Sequence, residues 1–168
     1  PTDIEGARVV ALLDQSEERG RELFFAEFNP AFPAVSGADC AHCHSGSNFE
    51  NDRYMNNGLD TDAEFSDLGY EMVTNNSADR GKFKVPSLRN VAVTPPYMHD
   101  GRFKTLEEVV EHYNSGLKHS TTLDPTLVYP LNSGGLNLSV EDKEALVAFL
   151  KTLTDERLLT HPEYSNPF

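Results

Sequence analysis

DCAHCHSG, residues 39–46, holds the only two cysteines in a chain of 168 residues, Cys40 and Cys43, with His44 directly after the second. Two thiols at this spacing suit a redox dithiol, half of a zinc site or a plain disulfide, and the residue that follows separates these. Cys40-Ala41-His42-Cys43-His44 has the spacing of covalent c-type haem attachment, in which each thiol adds to one porphyrin vinyl group and the next imidazole reaches the iron from the same side. His44 is then the proximal axial ligand. A structural zinc site needs four protein ligands, and neither a second cysteine pair nor a matched His-x₃₋₅-His follows. A thioredoxin-type dithiol sits between a strand and a helix, whereas residues 29–49, NPAFPAVSGADCAHCHSGSNF, have the composition of a loop around a short turn. His42, inside the pair, is expected at the surface.

The rest of the chain is that of an ordinary globule. Its length is in the single-domain range, and no apolar run approaches the ~20 residues that span a bilayer. Fourteen basic against twenty-seven acidic side chains give a formal charge of −13, which argues against nucleic acid and anionic lipid as partners. It suits a basic redox partner, or simply solubility. The opening PTDIEGARVV has no initiator Met and no signal-like apolar segment, so a secretion signal would have been removed or would lie upstream.

Three segments have helical periodicity. The first is expected from an N-cap at Ser16 through EERGRELFFAEF to Pro30, with Gly20 and Phe24 on one face, where a second helix can cross closely. The second, TLEEVVEHYN (residues 105–114), opens on a Thr105/Glu108 capping box and stops at Gly116. Its apolar stripe of Leu106, Val109, Val110 and Tyr113 turns the tyrosine inward. The third, SVEDKEALVAFLKTL (139–153), is capped by Ser139 and buries Leu146, Phe149, Leu150 and Leu153. Residues 45–104 and 115–138 are expected to be irregular. Loops this long need an organiser, and the apolar faces of a haem would supply one. The acidic run LDTDAEFSD (59–67) lacks EF-hand spacing and is expected as a solvated loop.

The haem motif between GRELF and LVAFLKTL resembles a class I cytochrome c. More specifically, NFENDRYMNNGL (48–59) and GKFKVPSLRNVAVTPPYMHDGRFKTLEEVVEHYNSG (81–116) resemble the carboxy-terminal haem domain of bacterial di-haem cytochrome c peroxidases and MauG-type proteins. The fold implied is all-α, a cytochrome c-like helical domain wrapped around one covalent haem with long irregular loops. It is expected as a single domain over residues 1–168 with its core at about 16–154. The family pairs two haem domains in one chain, and this chain carries one CxxCH. The resemblance therefore implies the half that transfers electrons or stores oxidising equivalents, exported to the periplasm and partnered by a redox protein or a second haem domain. Peroxide reduction by this chain alone is not expected.

The sixth iron ligand separates the functional alternatives. By the resemblance Tyr113 is the axial, catalytic residue, where the peroxidases place Met and the MauG-type members Tyr. Met98, in TPPYMHDG, is the choice of a generic cytochrome c analogy, and would make the chain a stand-alone mono-haem electron carrier. An exchangeable sixth site would make it a haem sensor. Met55, which stands where many relatives have His, is an outside candidate, and His99 could also bind iron. The resemblance also implies Arg89 against a haem propionate, His99 ordering the loop or meeting a propionate, and the carbonyls of Thr94 and Pro96 on a calcium ion shared between two haem domains. A tyrosinate is a hard anionic donor that stabilises ferric iron, so Tyr113 would give a lower reduction potential than Met98.

Overall fold

Asp14, not Ser16, starts the first helix of the computed structural model, which describes residues 13–165. The Asp14 carboxylate accepts from the Glu17 amide at 2.8 Å, while the Glu17 carboxylate accepts from the Asp14 amide at 2.9 Å. This reciprocal box satisfies two orphan donors and places Ser16 inside α1, Gln15–Phe25. The helix ends at an Ala26 cap, well before Pro30. The ends of the expected domain, residues 1–12 and 166–168, lie outside the described residues.

α2 (Glu71–Thr74) is a single turn, and α3 (Leu106–Glu111) opens on the expected Thr105/Glu108 box. Beyond Glu111 the backbone does not continue as α-helix to residue 114; it widens into a π turn, His112–Gly116. α4 (Pro125–Asn132) lies in the stretch expected to be irregular. Asp124 caps it by accepting from the Thr126 amide at 3.0 Å, and Pro125 fills the first position, where a missing N–H costs nothing. α5 (Val140–Thr152) carries the expected Ser139 cap, and α6 (Glu156–Thr160) follows. Residues 45–104 hold only short elements, among them the antiparallel pair β1 (Tyr54–Met55) and β2 (Phe83–Lys84).

α1 packs mainly on α5, and α3 packs on α5 beside it. The crossing is close at Gly20, where a Cβ would lie 1.9 Å from the Ala145 carbonyl oxygen and 2.8 Å from the Phe149 Cβ. Phe24 then packs on Phe149, with ring centroids 5.2 Å apart, and edge-on to Phe49 of the loop after the cysteines. Leu23, Phe24, Leu106, Val110, Ala145, Leu146, Val147, Phe149 and Leu150 form the buried cluster, and Cys40, Ala41, Tyr97 and Leu153 are among the residues that pack against it. Burial of each large side chain contributes roughly 1.5–3 kcal/mol, so this three-helix corner is a main source of the fold's stability. It is also where the first cysteine is seated.

The acidic run is not merely solvated. Asp60 is only 7% exposed and receives both Arg102 Nη atoms, at 2.9 and 2.8 Å. Asp62 accepts from the amide and hydroxyl of Thr121. Paired carboxylates thus tie the 59–67 loop to its neighbours, as burial of a charge requires. Among the described residues no helix is long and apolar enough to cross a membrane.

Candidate haem site

The cysteine motif is fastened to the end of α1 through backbone bonds. The amides of Gly37, Ala38 and Asp39 donate to the carbonyls of Glu27, Leu23 and Ala26, at 2.9, 2.8 and 3.0 Å. Gly37 permits this approach, because a Cβ there would lie 2.2 Å from the Ala26 carbonyl oxygen. Asp39 takes a left-handed backbone, φ 52°, and turns the chain into a 3₁₀ turn, Cys40–His42. His42 is exposed, as expected, with Nδ1 3.8 Å from the Asp39 carboxylate.

Both cysteines are free and half-buried. Burial pushes the Cys40 thiol up to about 12 and the Cys43 thiol up to about 11, with nearby acidic groups adding to both shifts. A redox dithiol needs a thiol whose pKa is depressed, and here both are shifted the opposite way. Among the described residues no group of three or more His, Cys, Asp or Glu side chains could hold a bare metal ion.

His44 Nδ1 lies 3.1 Å from the Phe49 carbonyl oxygen and 3.1 Å from that of Pro86. Both partners are acceptors, so Nδ1 carries the proton and Nε2 keeps its lone pair. Burial lowers the imidazole pKa against the pull of these two bonds, which favours the neutral ring a metal requires. The segment that supplies the Pro86 carbonyl is itself pinned. Ser87 Oγ donates to the Asn48 carbonyl at 2.5 Å, and Arg89 donates through Nε and Nη2 to that of Ser47, at 3.0 and 2.5 Å. Arg89 therefore braces the loop that follows the cysteines. Two neutral thiols, one imidazole of fixed tautomer and an apolar surround form a donor set that fits a covalently attached haem.

Tyr113, on the π turn, is half-buried, and burial pushes its hydroxyl up to about 12. The Asn57 side chain opposes that rise, and Cys43 and Cys40 add to it, so the tyrosine and the two cysteines share one environment. His112 beside it is buried and donates from Nε2 to the Asn57 carbonyl at 3.0 Å. Met98 takes a left-handed backbone, φ 72°, and its sulfur accepts from Asn57 Nδ2 at 3.3 Å. Met55 has its sulfur 3.7 Å from Asn51 Nδ2, within the range for a hydrogen bond to sulfur. His99 is exposed and stacks on Phe83, centroids 3.7 Å apart and planes 9° from parallel. Thr94 and Pro96 are exposed, and the Thr94 hydroxyl donates to the Val91 carbonyl at 3.1 Å. Sequence reasoning missed Asn57 and His112. The signal for them lies in the meeting of three distant segments, not in any spacing.

The sequence model of the Cytochrome c family matches residues 17–154. A cytochrome-c peroxidase, IdrP1, from a Pseudomonas species is 31% identical over 92% of this chain and 44% of its own length. The methylamine utilization protein MauG of Paracoccus denitrificans is 33% identical over 83% of this chain and 45% of its own. Among solved structures, a MauG-like protein associated with microbial copper homeostasis superposes with a TM-score of 0.78 at 34% identity, covering 94% of this chain and 52% of that one. The chain spans about half the length of these relatives.

Proposed function

The chain belongs to the cytochrome c family, and from that membership we propose that it is one haem domain of a di-haem, MauG-like peroxidase-type oxidoreductase, in which it carries electrons or stores oxidising equivalents. Haem c is its covalent cofactor, and in this reading one haem is bound. Cys40 and Cys43 form the thioether bonds, His44 supplies Nε2 as proximal ligand and Tyr113 supplies its phenolic oxygen as distal ligand. Haem bound there supplies one-electron chemistry at iron. His44 is held by the Phe49 and Pro86 carbonyls, which fix its ring and strengthen it as a donor. Burial raises the pKa of the Tyr113 hydroxyl, which favours its protonated form in the bare protein.

The observation that carries this reading is the placement of Tyr113 on a π turn, inside the environment of both cysteine sulfurs. π turns inside helices are rare and recur at functional sites. Arg89 and His99 secure the loops on either side, and Arg89 is the nearest of the proposed propionate partners to the haem-binding motif in sequence. Calcium at the Thr94 and Pro96 carbonyls, shared with a second domain, belongs to the same proposal. So do export to the periplasm and a partner that is either the other haem domain or a basic redox protein, which the net charge of −13 suits.

The test is ligand assignment in the haem-loaded ferric protein by electron paramagnetic resonance and optical spectroscopy. Tyr113→Phe should abolish the tyrosinate signature and raise the midpoint potential by on the order of 100 mV, a modest part of the roughly 0.8 V that axial ligation spans. A near-infrared thioether-to-iron band in the unmodified protein, lost in Met98→Leu and kept in Tyr113→Phe, would overturn the assignment. A second Cys-x-x-Cys-His motif in the complete reading frame is expected as well.

A further inference from the structure

We propose that Asn57 is a positioning residue that decides which of two side chains, Tyr113 or Met98, serves as the sixth ligand, by engaging the Met98 sulfur and leaving the tyrosine as the available donor. The proposal rests on the reading of Tyr113 as distal ligand.

Asn57 stands on a rigid base. Asn56, 1% exposed, donates from Nδ2 to Ser120 Oγ and Thr122 Oγ1, both at 2.9 Å, and its Oδ1 accepts from the Gly58 amide at 2.9 Å. The Asn56 carbonyl accepts from the Asp124 amide at 3.0 Å, and the Gly58 carbonyl from the Lys118 amide at 2.8 Å. The backbone on both sides of Asn57 is thereby fixed, and Asn57 meets both candidate ligands from it. Its carbonyl accepts from buried His112, the residue before Tyr113. Its side-chain amide donates to the Met98 sulfur at 3.3 Å and also lies against the Tyr113 hydroxyl.

The Met98 side alone would be loose. Methionine has three rotatable bonds and a soft sulfur that adapts to whatever is near, so a thioether next to a metal site is a ready competitor for the iron. Here the competitor is held twice. Its backbone sits in the left-handed region, which non-glycine residues occupy only when their surroundings demand it. The Tyr97 amide donates to the Phe103 carbonyl at 2.7 Å and the Gly101 amide to the Met98 carbonyl at 3.3 Å, closing the loop around it. The Asn57 amide then fixes the sulfur. With the donor removed, only the loop restrains Met98.

Asn57→Leu removes the amide while keeping the branched heavy-atom skeleton, at the cost of a larger, apolar side chain, and leaves the backbone carbonyl that accepts from His112 in place. The haem-loaded ferric forms of the unmodified protein, Asn57→Leu and Asn57→Leu/Met98→Leu should be compared by near-infrared absorption and electron paramagnetic resonance. The expected result is no thioether-to-iron band in the unmodified protein, a new band in Asn57→Leu, and its loss in the double variant. If Asn57→Leu does not take up haem, Asn57→Ser, which is smaller and more polar, should be used for the same comparison. A tyrosinate spectrum unchanged on losing the Asn57 amide would overturn the role of Asn57 and leave the Tyr113 reading standing. A thioether band already present in the unmodified protein would overturn both.

Discussion

Replacing Cys40 and Cys43 together by serine should remove covalently attached haem completely. A serine hydroxyl does not add to a porphyrin vinyl group as a thiol does, so the double variant should give no haem stain on a denaturing gel and the intact mass of the bare polypeptide. Each single variant should keep one thioether link and a weaker stain. Burial raises the pKa of both thiols, so in the bare chain they favour the protonated form. Haem retained through denaturation in the double variant would contradict the attachment reading outright.

Gly20→Ala should destabilise the haem-loaded protein by at least about 3 kcal/mol, the upper end of ordinary overpacking, and lower the apparent melting midpoint by at least about 6 °C. The direction opposes local propensity, since alanine favours a helix over glycine by about 1 kcal/mol. Tertiary contact wins because the added methyl group would meet the Ala145 backbone at 1.9 Å, and a backbone carbonyl cannot rotate aside as a side chain can. α1 and α5 would have to separate, loosening Phe24 from Phe149 and disturbing the carbonyls of Leu23, Ala26 and Glu27, at and just beyond the end of α1, that hold residues 37–39. Thermal melting followed by circular dichroism measures the effect. A neutral or raised midpoint would show that the crossing is not as close as the structure places it.

Much of this was legible in the sequence, for reasons that differ from residue to residue. Cys40, Cys43 and His44 announce a cofactor because the chemistry fixes their spacing. Gly20 and Phe24 announce a helix crossing because only glycine admits such an approach. The Asp14 start was equally legible, since Asp14 and Glu17 satisfy the capping-box rule; Ser16 drew attention as a good cap without a partner three residues on. α4 was hidden by Pro125 and Pro130, which suggest loop, although Asp124-Pro125 is also a sound helix start. The buried Asp60 was hidden by its acidic neighbours, because only the fold brings Arg102 to it. Asn57 was hidden most deeply. Its meaning depends on Met98 and His112, each some forty or more positions away.

The π turn at residues 112–116 makes chain length part of the site. Each such turn accommodates about one residue more than an α turn, so the segment can be regarded as a helix with an insertion. Deleting one residue just before Tyr113 would let ordinary α hydrogen bonding resume, and would swing the position that Tyr113 now fills by about 100° around the helix axis. The tyrosine would survive in the sequence and be lost from the site. In comparing chains of this kind, an alignment gap at this turn is therefore as informative about the iron's partner as the letter in the tyrosine's column.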